Sequence, residues 1–197
     1  MLRKNRYRPM YLEKKKKVTP EIFKEILSWV FYTAVAFFVA FVLVLCFGKR
    51  VRVIGDSMEP SLTNGQSVLV NGIVYKLTSP KKDDVIVFLP NGNEKSHYYV
   101  KRVVAVPGET VKIEGGNLLV NGETVVTEDR EYDKMEEAGI AENDITLGSG
   151  EFFVLGDNRN SSEDSRSANI GVVKLSTIAG KAWLSYGSKE GKTGFVD

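Results

Sequence analysis

The chain has 197 residues, 27 Lys or Arg against 25 Asp or Glu, one histidine and one cysteine, which fits a single domain or a domain with an anchor. One cysteine excludes an internal disulfide, and one histidine with one cysteine cannot furnish a zinc ligand set, so no metal or cofactor is expected. Residues 1–25 hold nine basic and three acidic side chains, a net of +6 that leaves −4 for the remainder and no basic face for nucleic acid.

The basic tail, which includes "EKKKK" (13–17), runs into "ILSWVFYTAVAFFVAFVLVLCFG" (26–48), 23 positions without a charge. As a helix this stretch is roughly 35 Å long, enough for a bilayer core of about 30 Å. It is predicted to be a transmembrane helix. Nine basic residues precede it and Lys49, Arg50 and Arg52 follow, so the charge bias places the N-terminus in the cytoplasm and the body outside. Trp29 and Tyr32 suit the inner interface. A cleaved signal peptide fits less well, because the apolar run is too long and no A-x-A site follows it before Lys49. Leu45 before Cys46 spoils a lipoprotein site. The expected division is a cytoplasmic tail (1–25), a membrane helix (26–48) and an extracytoplasmic domain (49–197).

That domain reads mainly as β-strands: "VRVIG" (51–55), "SVLVNGIVY" (67–75), "DVIVFL" (84–89), "YYVKRVVAV" (98–106), "ETVKIEG" (109–115), "NLLVNGETVV" (117–126), "EFFVLGD" (151–157) and "AGKAWLSYG" (179–187). Asn121-Gly122 between alternating apolar residues predicts a two-residue type I′ hairpin. Residues 132–146, acidic and weakly helical, read as a surface excursion between two core strands. The fold class is therefore mostly β, an antiparallel domain behind one N-terminal helix, with a small β-rich insertion over about 108–150.

Three stretches carry the chemistry. In "GDSMEPSL" (55–62), Ser57 lies on a bent backbone where Gly55 permits close approach by another chain; alone, this is a turn serine. In "YYVKRVVAVPGE" (98–109), Lys101 sits inside a strand of aromatic and β-branched residues. There it either guards a sheet edge or, if buried, is a neutral amine able to act as a base. "GDNRNSSEDSR" (156–166) has no aliphatic side chain and lacks the calcium-loop spacing, so it reads as a hydrogen-bonded loop that orients other groups.

Together, in this order and behind a membrane span, the three stretches resemble the bacterial type I signal peptidases, membrane-bound Ser-Lys proteases that release exported proteins from their signal peptides. The resemblance covers residues 26–187. It implies that Ser57 is the nucleophile, Lys101 the general base, and Ser162 a hydroxyl that orients the lysine. Asp157, Arg159, Asp164 and Arg166 are then structural, with Asp164 paired to an arginine. Some members carry a serine or threonine two residues before the nucleophile to complete the oxyanion hole. Here Gly55 stands there, leaving the Ser57 N–H as the clear donor and the second donor open. Val53, Ile54, Met58, Leu62, Tyr99 and Val100 match the positions that line the pockets for small side chains. The implied partners are signal peptides and the lipid bilayer.

Other readings fit less well. His97, after a polar loop, reads as an exposed residue at a strand start. "SPKK" (79–82), "SAN" (167–169) and "KTG" (192–194) mimic the motifs of penicillin-recognising enzymes, but the first is a turn leading into a strand, not a helix start. A non-catalytic membrane-tethered relative that assists surface-protein or pilus assembly is the remaining alternative. Such a protein has no need of Ser57, Lys101 and Ser162 together.

Overall fold

A computed structural model describes residues 19–93, 95–126, 130–187 and 193–196, with only the backbone of 45–47. The basic tail through residue 18 and Lys192 of "KTG" lie outside the described residues. Helix α1 spans Pro20–Phe47, beginning six residues before the uncharged stretch. Proline suits a first helical position, where its missing N–H costs no bond. The Thr19 carbonyl accepts the Phe23 N–H at 3.0 Å, and Glu21 lies in the positively polarised first turn. At about 1.5 Å per residue the helix is roughly 42 Å long. It is long and apolar enough to cross a membrane, and its described side chains are exposed.

The body opens with β1 (Lys49–Arg52), β2 (Ser67–Asn71), β3 (Val85–Phe88), β4 (Tyr99–Ala105) and β5 (Thr110–Glu114). It continues through β6 (Asn117–Val120), β7 (Glu123–Thr124), β8 (Ile145–Thr146), β9 (Glu151–Leu155), β10 (Val173–Lys174), β11 (Ile178–Tyr186) and β12 (Gly194–Phe195). Eight strands form one antiparallel sheet in the order β1-β2-β11-β3-β4-β9-β10, with β12 alongside β11. The chain leaves this sheet after β4, builds a four-stranded sheet in the order β7-β6-β5-β8, and returns at β9 beside β4. Mostly antiparallel β architecture with an inserted β-rich unit is thus what the strand pattern predicts. Asn121 (φ 55°) and Gly122 (φ 82°) make the β6–β7 turn, the left-handed pair that a type I′ hairpin requires.

Two expected elements differ. The strand over 67–75 stops at Asn71, whose side-chain Oδ1 accepts the N–H groups of Ile73 and Val74 at 3.1 Å each. This side-chain turn competes with the sheet ladder, and Val74–Leu77 forms a short helix α2 instead. The excursion at 132–146 holds only a 3₁₀ turn at Gly139–Glu142 and strand β8. Nor is it all surface, because Met135 and Ala141 are buried with Val111, Ile113 and Leu118 under the second sheet.

Strand β4 positions the site. Successive side chains point to opposite faces, as the two-residue period of a strand dictates. Val100 packs with Met58, Leu62, Val85 and Val87, while Tyr99 and Val103 lie against Ile86, Phe88, Phe152 and Val154. Strand β3 pairs with β4 along Tyr99–Arg102, whereas β9 begins to pair only at Arg102. Residues Tyr99–Lys101 therefore have a strand neighbour on one side only.

Candidate active site

The turn that carries Ser57 is pegged from below and stapled at its ends. Met58 and Leu62 are fully buried, the Leu62 N–H reaches the Met58 carbonyl at 2.8 Å, and Val53 exchanges backbone bonds with Gln66 and Gly65 at 2.7 and 2.9 Å. Gly55 adopts φ +80°, where a side chain would be strained. Its N–H is engaged by Asn64 Oδ1 at 3.2 Å. Among the described residues the Ser57 N–H has no hydrogen-bond partner.

Lys101 Nζ lies 2.7 Å from Ser57 Oγ. With the residue 3% exposed, Lys101 does not guard a solvent edge. Burial penalises the ammonium form and lowers the amine from the ordinary lysine value to about 8, against the opposing pull of the Asp164 and Glu163 carboxylates. At this distance a charged amine donates to the serine oxygen, and a neutral amine can accept the hydroxyl proton.

The loop after β9 closes over this pair. The Asn158 N–H bonds the Ser57 carbonyl at 3.1 Å. Gly156 sits where a Cβ would come within 2.4 Å of that carbonyl and within 2.2 Å of Ser162 Oγ, so only glycine fits the crossing. Ser162 Oγ is buried beside Gly156 with no hydrogen-bond partner among the described residues, Lys101 included. Asp164 holds the loop's return: it grips Arg166 through two bonds of 2.9 Å and accepts the Gly156 N–H at 3.1 Å. Arg166 in turn donates to the carbonyls of Arg159 and Glu137. The Arg159 guanidinium lies over the Tyr132 ring, 3.9 Å from its centroid.

One partner of this loop escaped the sequence reading. Arg102, 1% exposed, forms a bidentate pair with Asp157 at 2.8 and 2.7 Å and also donates to the Asp83 carbonyl at 2.8 Å. The signal was present as two adjacent cations in one apolar strand, "YYVKRVVAV". Since neighbours point to opposite faces, an interior strand buries both. Glu163 was missed as well; its carboxylate accepts the Tyr99 hydroxyl at 2.9 Å.

Of the residues matched to substrate pockets, Val53, Met58, Leu62 and Val100 are buried together. Ile54 is 68% exposed, and Tyr99 is half-buried at the mouth. His97 is exposed ahead of β4.

The antiparallel sheet thus brings the Ser57 hydroxyl against the buried amine of Lys101. Comparison with known proteins gives the family: residues 26–186 match the model described as "Signal peptidase, peptidase S26". The chain belongs to this family of serine peptidases, which remove signal peptides. It is 34% identical over 172 residues to Signal peptidase IB of Staphylococcus aureus (strain COL), covering 80% of this chain and 87% of that protein. It is 32% identical over 178 residues to Signal peptidase I P of Bacillus subtilis subsp. natto, covering 85% and 89%. A crystal structure of a signal peptidase I from Enterococcus faecalis V583 aligns with 30% identity over 53% of this chain and 97% of its own, at a TM-score of 0.39.

Proposed function

We propose that Ser57 and Lys101 are the nucleophile and general base of this signal peptidase, and that α1 anchors the domain in the membrane with the tail on the cytoplasmic side. The observation that carries the reading is the 2.7 Å separation of Lys101 Nζ from Ser57 Oγ, at an amine whose burial lowers its pKa to about 8. The neutral amine takes the Ser57 proton as Oγ attacks the scissile carbonyl. The oxyanion receives the Ser57 N–H, which has no other partner among the described residues. Lys101, now an ammonium, returns the proton to the departing amine of the exported protein. A water molecule, deprotonated by the regenerated amine, then hydrolyses the acyl-enzyme. Gly55 is a poor second oxyanion donor, since Asn64 takes its N–H.

The substrate would lie extended along the open side of Tyr99–Lys101, adding a strand through backbone bonds while shallow pockets select small side chains. In this reading Ile54 and Tyr99 meet the peptide directly, and buried Val53, Met58, Leu62 and Val100 form the floor. Ser162, whose hydroxyl is buried beside Gly156, is proposed to turn toward the amine when Lys101 is protonated. Asp157, Arg159, Asp164 and Arg166 hold the loop. Residues 1–25, 26–48 and 49–197 are proposed as tail, span and extracytoplasmic domain.

Detergent-solubilised full-length chain should cut a preprotein bearing Ala-x-Ala directly after the second alanine, as read by N-terminal sequencing of the product. Leucine in place of the alanine before the bond should lower kcat/KM by about 100-fold or more. An intact preprotein would favour the non-catalytic peptide-binding alternative. Orientation is tested separately. Protease added to cells after wall removal should digest the body and spare the tail, and a protected body would reverse the assignment.

A further inference from the structure

We propose that Glu163 is a positioning residue for this cleavage: by accepting the Tyr99 hydroxyl it fixes the Tyr99 ring as a rigid wall of the substrate channel beside Ser57 and Lys101. The inference rests on the Ser57–Lys101 reading above. Tyr99 and Glu163 are 64 residues apart and meet at 2.9 Å. One stands on β4 just before Lys101, the other on the loop that covers Ser57, so their bond joins strand to loop across the mouth of the site. The ring is held at both ends. It packs against the Phe88 ring, tilted by 41° at 6.0 Å between centroids, and its hydroxyl is held by Glu163. Lys101 Nζ lies 5.9 Å from the ring centroid, so the ring stands within one side chain's reach of the reacting atoms.

The bond lies where β4 is open. Strand β9 does not pair with Tyr99–Lys101, so no neighbouring strand restrains that side, and an extended peptide laid there would press on the ring. Tethered, the ring cannot swing away to admit a longer side chain. Freed, it can rotate about χ1 and enlarge the pocket. Discrimination between alanine and a larger residue thus depends on the tether, and cleavage of the alanine substrate depends on it much less.

Glu163 also places a negative charge near the amine. The charged groups around Lys101 are Glu163, Asp164, Asp157 and Arg166 of the loop. Strand β3 is apolar throughout, and the serine turn carries Asp56 and Glu59. Removing the Glu163 charge takes away a contribution that favours the ammonium form.

The test compares Tyr99→Phe, Glu163→Ala and Glu163→Gln in the full-length chain, with thermal unfolding to verify the fold. The substrates are two preproteins that differ only in alanine or valine before the cleaved bond. Tyr99→Phe and Glu163→Ala should each narrow the alanine-over-valine ratio of kcat/KM by about three- to tenfold. The double variant should narrow it no further, since both remove one bond. Glu163→Gln keeps an acceptor for the hydroxyl and should retain most of the ratio. It should nevertheless move the half-maximal pH downward together with Glu163→Ala, whereas Tyr99→Phe leaves that pH in place. Unchanged ratios in Tyr99→Phe and Glu163→Ala, with Lys101→Ala inactive, would overturn the tether alone. Activity in Lys101→Ala would instead remove the reading beneath it.

Discussion

Lys101→Ala is expected to lower kcat by about 10³-fold or more on a preprotein substrate, with the fold intact, because it removes the group proposed to take the Ser57 proton. Lys101→Arg should be as inactive, since a guanidinium keeps its proton throughout the usable pH range. His97→Ala, at an exposed position, should keep wild-type activity. In the wild type, kcat/KM should rise with pH to a half-maximum near pH 8, as the amine becomes neutral. An active arginine variant would show that another group deprotonates Ser57. The same titration appears in stability. Between about pH 8, where the folded amine loses its proton, and the ordinary lysine value of 10.5, the unfolded chain binds the extra proton, so stability rises with pH. The rise across that window should total roughly 3 kcal/mol. Lys101→Met should abolish it, and a variant with the same slope would place the titration elsewhere.

The second large effect lies in the pair behind the loop. Arg102→Ala should destabilise the domain by about 3–5 kcal/mol in urea denaturation, because it leaves the Asp157 carboxylate buried without its cation. Both side chains are 1% exposed, so water cannot replace the lost partner. Replacing both, as in Arg102→Met with Asp157→Leu, should restore part of the stability, since two buried charges are costly to desolvate. Activity should not return with it. Asp157 adjoins Gly156, and the loop that covers Ser57 starts from this anchor. A double variant no more stable than Arg102→Ala would mean that the guanidinium's bond to the Asp83 carbonyl, not the ion pair, dominates.

Strand types, the membrane-length helix and the Asn121-Gly122 hairpin were legible because each is a local pattern: alternation, an uncharged run, a left-handed dipeptide. Ser57, Lys101 and the 156–166 loop were legible as motifs, and the folded chain brings Ser57 and Lys101 within hydrogen-bond distance. What was hidden depends on partners distant in sequence. Arg102 looks like an ordinary surface cation until β3 and β9 flank its strand and Asp157 arrives from 55 residues away. The end of β2 was hidden for a local reason, since Asn71 spends its side chain on the next two N–H groups. The 132–146 segment misled through its acidic composition. At Gly139 a Cβ would fall 2.2 Å from the Arg166 carbonyl, so close backbone approach, not helix propensity, shapes that turn.

The strand order has a consequence for synthesis. The serine turn joins β1 to β2 and the lysine lies on β4, yet β2 and β3 are not neighbours. Strand β11, Ile178–Tyr186, lies between them and pairs with both. A chain grown only as far as the 156–166 loop has β1-β2 and β3-β4-β9 with no strand pairing between them, linked instead by the packing of Met58 and Leu62 on Val85, Val87 and Val100 and by the Asn158 N–H on the Ser57 carbonyl. The pairing that joins the two parts into one sheet waits for β11, the last long strand to be made.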